Sequence, residues 1–160
     1  MLSISILKSI ERMMKMLSCA DRDRLLSGQS FIIATDFDDT LVDNEGYPYP
    51  NFGKPTEWFF QLKKLMEHYP NISVILFTCR EGDDLDMAVN FCRENGLEFD
   101  SVNEDIPSTL AWKKIKSRKP FAHIYVDDRA VSYNHKQYNR LGDNRLNNIL
   151  RSMHILHKLS

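Results

Sequence analysis

The stretch Phe31–Thr40 reads FIIATDFDDT, and its two halves have opposite character. Phe31 to Ala34 is an unbroken apolar run rich in β-branched side chains, the composition of a strand buried on both faces. Asp36, Asp38 and Asp39 then follow within a few residues. A strand that is greasy along its length and acidic at its end is expected to cross the core and emerge at a site. The same design returns at Ala122–Asp128, AHIYVDD, which closes on Asp127 and Asp128. Ile72–Thr78, ISVILFT, is a third such run and ends in a hydroxyl.

Helical patterns separate these strands. Pro55-Thr56-Glu57 suits a helix start, with Trp58, Phe59, Leu62, Leu65 and Met66 as the apolar stripe that follows. Gly82-Asp83-Asp84 is expected to cap a further helix, with Leu85, Ala88, Val89 and Cys92 inward and an end near Asn95-Gly96. Phe99 to Val102 reads as a short strand. Pro107 opens a helical stretch containing Leu110, Trp112 and Ile115, and Trp58, Phe59 and Trp112 read as core. Gly46, Pro48, Pro50, Gly53 and Pro55 mark a loop between the first strand and the first of these helices. Strands alternating with helices predict an α/β fold, a three-layer, Rossmann-like, doubly wound parallel sheet. Residues 1–30 read as an N-terminal helical extension, 31–143 as the catalytic domain, and 144–160 as a C-terminal amphipathic helix that packs on the domain or on a partner.

The bulk composition excludes several classes. The sequence has 160 residues, 42% hydrophobic and 27% charged, with a formal net charge of −1. That balance suits one globular domain and carries no global pull toward nucleic acid or anionic membrane. Lys8, Glu11, Arg12 and Lys15 interrupt the N-terminal apolar residues, so a signal peptide is not expected, and no stretch is long and apolar enough to span a bilayer. Cys19, Cys79 and Cys92 have neither metal-ligand nor disulfide-framework spacing, which points to reduced thiols in a cytoplasmic protein. The terminal amphipathic segments are suited to a homo-oligomer.

In a parallel sheet the C-terminal ends of the strands share one edge, where ligands bind. The edge here is expected to gather Asp36, Asp38, Thr78, Asp127 and Asp128. Crowded carboxylates repel one another unless a cation neutralises them. A hard divalent ion with oxygen ligands answers that need, and Mg²⁺ fits because it takes a few carboxylates and keeps places for water and a phosphate. With a phosphate there, one carboxylate can attack phosphorus and a second can move the proton.

DFDDTLV resembles the first motif of the haloacid dehalogenase superfamily, ILFT its second and IYVDD its fourth, in the superfamily's order over Phe31 to Asp128. The resemblance implies a phosphoric monoester hydrolase with Asp36 as nucleophile and Asp38 as general acid/base. It implies Mg²⁺ held by Asp36, the main-chain carbonyl of Asp38 and Asp127, with Asp128 close by, and Thr78 binding the phosphoryl group. The third motif is a lone Lys. Lys113, Lys114, Lys116 and Lys119 all lie in the right interval, and Lys119 is favoured because SRKPFAHIYVDDR looks like the short phosphatase members. TCREG and VDDR resemble small members of the superfamily in which Arg80 contacts substrate, although a local ion pair of Arg80 with Glu81 or Asp83 is the plainer expectation. Asp39 stands where the superfamily often has Gly.

Neither interval that can carry a cap domain has room for a large one. An open site suits a nucleic-acid end or a phosphoprotein, or a smaller nucleotide or sugar phosphate covered by another subunit. Tyr47, Tyr49 and Phe52 in the loop from Asp43 to Lys54 either form a small flap or anchor the loop. A catalytically silent binding module and a phosphotransferase with an acceptor other than water are the competing functions. A complete set of acids speaks against the first.

Overall fold

The computed structural model describes Met14 and residues 17–130. The chain divides into two compact units, Met1–Asp128 and Arg129–Ser160, and the first carries the sheet. Of the amphipathic helix expected before Ser18 only Met14 and Leu17 are described, both packed against the core, and the helix expected over residues 144–160 lies outside the described residues. No helix among the described residues is long and apolar enough to cross a membrane.

Among the described residues four parallel strands form the sheet: β1 (Phe31–Thr35), β2 (Ile72–Leu76), β3 (Ser101–Val102) and β4 (Ile124–Val126), in the spatial order β3-β2-β1-β4. The helices are α1 (Cys19–Leu26), α2 (Glu57–His68), α3 (Gly82–Glu94) and α4 (Pro107–Lys113). The fold is therefore the α/β doubly wound type expected from the sequence, and neither the β1-to-β2 nor the β2-to-β3 connection carries an inserted domain.

Every residue of β1 is buried, as a central parallel strand requires. Its side chains alternate between two cores. Phe31 and Ile33 join Leu25 of α1, Phe59, Leu62 and Leu65 of α2, and Ala88 and Cys92 of α3. Ile32 and Ala34 face the other way, with Ile75, Ile106 and Ala122. Right-handed crossovers explain this division: β1 to β2 to β3 steps one way across the sheet, and β3 to β4 steps back past β1, so α4 belongs to the opposite face from α2 and α3. Each fully buried Phe or Leu in the larger core contributes about 1.5–3 kcal/mol of transfer free energy.

Local signals set the helix ends. Thr56 caps α2, its hydroxyl accepting from the Phe59 N–H at 3.4 Å. Pro107 opens α4, and Lys114 closes it in the left-handed conformation, φ 58°. Two expectations need correction. The cap residue of α3 is Glu81, which makes no side-chain cap bond; Asp83 and Asp84 sit inside the first turn, where they complement the helix dipole. Trp112 is not core: it is 62% exposed and meets Phe121 edge-on at 5.5 Å, because α4 is only two turns long and its outer side has nothing laid over it among the described residues.

Candidate active site

The register of the sheet fixes the site. Thr35, the last residue of β1, lies opposite Leu76 of β2 and Val126 of β4, so all three strands end level. One residue further on, the Asp36 N–H donates to the Val126 carbonyl at 2.9 Å, and the Phe77 N–H donates to the Thr35 carbonyl at 2.8 Å. Asp36 is thereby set beside Asp127. This is also the point where the strand order reverses, with β2 on one side of β1 and β4 on the other, and a crevice opens at such a point.

One carboxylate oxygen from each of Asp36, Asp127 and Asp128 lies within 4.8 Å of the others. Asp36 is half-buried, while Asp127 and Asp128 are exposed. Burial pushes the Asp36 carboxyl up from 3.8 to about 6; the Phe37 N–H opposes the rise, and the charges of Asp127, Asp38 and Asp128 add to it. Three oxygen donors at this spacing, with no sulfur or imidazole among them, match the donor set of a hard divalent cation.

The chain turns sharply after Asp36. The N–H groups of Thr40, Leu41 and Val42 all reach the Phe37 carbonyl, at 3.3, 2.9 and 3.1 Å. Asp39 takes the left-handed conformation, φ 54°, which is why glycine suits this place and why Asp, among the few residues that tolerate it, is accepted. Its Oδ1 accepts from the Asn44 N–H at 3.1 Å. Thr40 is nearly buried, and its hydroxyl accepts from the Asp128 N–H at 3.1 Å, tying this turn to the end of β4.

Asp38 faces a different partner. Arg80 Nε donates to its Oδ2 at 2.9 Å and Nη2 to its Oδ1 at 2.6 Å, a bidentate pair. The Asn44 amide adds a third donor to Oδ1 at 2.7 Å. Arg80 is 1% exposed, with its Nη1 on the Pro50 carbonyl at 2.8 Å and its guanidinium 5.0–5.2 Å from the ring centres of Phe37, Tyr49 and Phe52. This corrects the local ion pair with Glu81 or Asp83: Arg80 points back across the sheet edge into a cage of aromatic rings. Asn44, which holds both Asp38 and the turn, has no counterpart among the residues singled out from the sequence. An Asn in a Gly- and Pro-rich loop reads simply as a turn residue.

Thr78 lies two residues beyond β2, half-buried, its N–H held by Asn103 Oδ1 at 2.8 Å. Its hydroxyl accepts from the Arg80 N–H at 3.3 Å. The lysines separate by partner. Lys113 reaches the buried Asp105 carboxylate at 2.7 Å, and Lys116 reaches Glu104 at 2.6 Å. Lys114 is exposed at the end of α4, and Lys119 lies in the exposed approach to β4 with its ammonium 4.1 Å from the centre of the Tyr125 ring. Asp105 also accepts from the Phe121 N–H, and this N–H and Lys113 together hold its carboxyl below its ordinary value against the opposing effect of burial.

The chain is similar to a solved structure, that of a conserved protein from Bacteroides thetaiotaomicron. The TM-score is 0.54 and the identity 36%, over 64% of this chain and 79% of that one. The chain belongs to that protein's family. No family model matches the chain, and no curated protein matches it.

Proposed function

We propose that this protein is a Mg²⁺-dependent phosphatase of the haloacid dehalogenase type, a phosphomonoester hydrolase that works through an aspartyl-phosphate on Asp36. The observation that carries the reading is the convergence of Asp36, Asp127 and Asp128 within 4.8 Å at the ends of β1 and β4. The donor set fits the ion: Asp36, Asp127 and the main-chain carbonyl of Asp38 would hold it, with Asp128 alongside. When bound, Mg²⁺ supplies charge neutralisation for the carboxylates and for a substrate phosphate.

The chain's own residues do the rest. A carboxylate oxygen of Asp36 attacks phosphorus as the bond from phosphorus to the leaving oxygen breaks. Asp38 gives its proton to that oxygen. In the second half Asp38 takes a proton from water as the water oxygen attacks phosphorus and the bond to Asp36 breaks, restoring both side chains. Thr78 donates to the phosphoryl oxygens; with Lys113 and Lys116 committed to Asp105 and Glu104, Lys114 and Lys119 are left to support them, and Lys119 is favoured by its place before β4. The substrate is a phosphate monoester on a nucleotide, nucleic-acid end, sugar or phosphoprotein, reached by a site that no inserted domain covers, in a cytoplasmic protein.

Turnover of p-nitrophenyl phosphate tests the reading. Activity that requires Mg²⁺, stops with EDTA and disappears in Asp36→Asn supports it. Activity undiminished in that variant, or failure of the protein to bind Mg²⁺, overturns it.

A further inference from the structure

The net charge of −1 conceals an uneven spread. Between Asp105 and Asp127 the sequence has no Asp or Glu, yet it holds Lys113, Lys114, Lys116, Arg118 and Lys119. Asp105 and Glu104 engage Lys113 and Lys116, while Lys114, Arg118 and Lys119 are exposed. Aromatic rings lie among these cations, and contacts join them into a track that starts beside the acids. Tyr125 stands two residues before Asp127 on β4, an outermost strand among the described residues, and is 37% exposed. Lys119 sets its ammonium 4.1 Å from the centre of the Tyr125 ring, and the Tyr125 hydroxyl donates to the Pro120 carbonyl at 2.7 Å. Phe121 comes next in the chain, and the Trp112 ring meets it edge-on at 5.5 Å. Trp112 is itself 62% exposed, a large flat surface left open beside positive charge.

We propose that this surface binds a single-stranded nucleic acid and leads its terminal phosphate to the acids at the end of β4. Cations interleaved with exposed rings match the two faces of such a strand: phosphates meet the charges and bases stack on the rings. An acidic polypeptide would answer the charges but leave the rings unused, and a duplex keeps its bases stacked on one another. Tyr125 and Trp112 carry the bases. Lys119, beside Tyr125, takes the phosphate nearest the acids, and Lys114 and Arg118 take those further along. The assignment of a nucleic-acid end as substrate rests on the phosphatase reading given above, whereas binding of the strand does not depend on it.

Fluorescence anisotropy of a labelled single strand of about twelve nucleotides with a terminal phosphate reads the binding. Asp36→Asn is the background, so that the strand is held without turnover, and Trp112→Ala and Arg118→Gln are added to it singly. Affinity is expected to fall with salt at a log–log slope of about −2, from three phosphate contacts at about 0.7 each. Trp112→Ala is expected to weaken binding about tenfold, the loss of one stacked base, with the slope unchanged. Arg118→Gln is expected to weaken it about threefold and bring the slope to about −1.4. The wild type is expected to release phosphate from the same strand. No binding at low salt overturns the proposal, as does binding that both variants leave intact. Displacement by polyglutamate as readily as by unlabelled strand assigns the surface to acidic polypeptides and overturns it too. A wild type that turns over p-nitrophenyl phosphate but spares the strand's phosphate overturns this proposal alone. A strand bound with neither ester cleaved overturns the phosphatase reading, and the substrate assignment with it.

Discussion

The guanidinium of Arg80 and the carboxylate of Asp38 form a forked ion pair at 2.6 and 2.9 Å in which one partner is buried and the other is 28% exposed. Asp36, two residues away, instead has the negative charges of Asp127 and Asp128 for neighbours. The two acids of one motif thus have opposite bearings on stability. Asp38→Asn leaves Arg80 buried beside an uncharged amide and is expected to cost about 2 kcal/mol, below the usual figure for a buried pair because Asp38 is partly solvated. Asp36→Asn removes a charge that burial and its neighbours disfavour, and is expected to raise the melting temperature by about 2–5 °C in metal-free buffer at neutral pH. Thermal unfolding of the two variants beside the wild type checks both signs.

On the proposed phosphatase reading, activity reverses the ranking of Asp36→Asn against the wild type. Asp36→Asn is expected to lower turnover of p-nitrophenyl phosphate by at least about a thousandfold, the scale seen when a nucleophile is removed. The most stable form of the protein is then its least active one. Steady-state kinetics on the same preparations used for melting make the comparison direct.

The raised Asp36 carboxyl also sets a pH dependence. Its folded value is about 6 against an ordinary 3.8, so the folded state holds this proton more tightly than the unfolded chain does. Without metal, the Asp36 contribution therefore falls as pH rises from about 4 to 6. A cation competes with the proton, so Mg²⁺ affinity is expected to be level above pH 6 and to weaken by up to about tenfold per unit below it. Calorimetric titrations at pH 5 and pH 7.5 read the difference, and added Mg²⁺ raises the melting temperature at the higher pH far more than at the lower.

Asp105 is the opposite case. It is buried, holds the Phe121 N–H and Lys113, and has its carboxyl below the ordinary value. Its contribution is present at neutral pH and is lost as pH falls through the folded value. Asp105→Ala is expected to cost about 3 kcal/mol, measured by urea unfolding, because it strands both partners and frees the segment that leads into β4.

The thiols are graded by burial. Cys19 and Cys79 are exposed, whereas Cys92 is buried in the larger core with its thiol pushed up to about 12. Cys19 and Cys79 are expected to react with an aromatic disulfide reagent in the folded protein, and Cys92 only after unfolding.

The sequence made the sheet and its acidic edge legible because both depend on patterns that survive in one dimension. FIIAT is apolar throughout because β1 is covered on both faces, and the strand ends that carry Asp36 and Asp127 fall level once the strands pair in parallel. Arg80 was not legible. A lone Arg beside Glu81 and Asp83 has the look of surface charge, and its burial depends on a cage supplied by Phe37, Tyr49 and Phe52 from another part of the chain. Trp112 failed for a related reason: an apolar residue on a helix is core only if something covers that side. The lysines remained ambiguous because four of them share one short interval, and only the fold gives Lys113 its carboxylate and Lys119 its aromatic ring.

The level ends of β1 and β4 have a consequence for biosynthesis. Asp36 is translated with the first strand of the sheet, but Asp127 and Asp128 arrive only with β4, the last strand among the described residues, which pairs with β1. A nascent chain that stops before Ile124 can assemble β1, β2 and β3 and display Asp36, yet it lacks Asp127 and Asp128. The cation proposed for these acids would therefore be captured only once β4 docks, and would in turn stabilise that docking by mass action. The three acids come together in the ribosome's order, complete only once β4 has paired with β1.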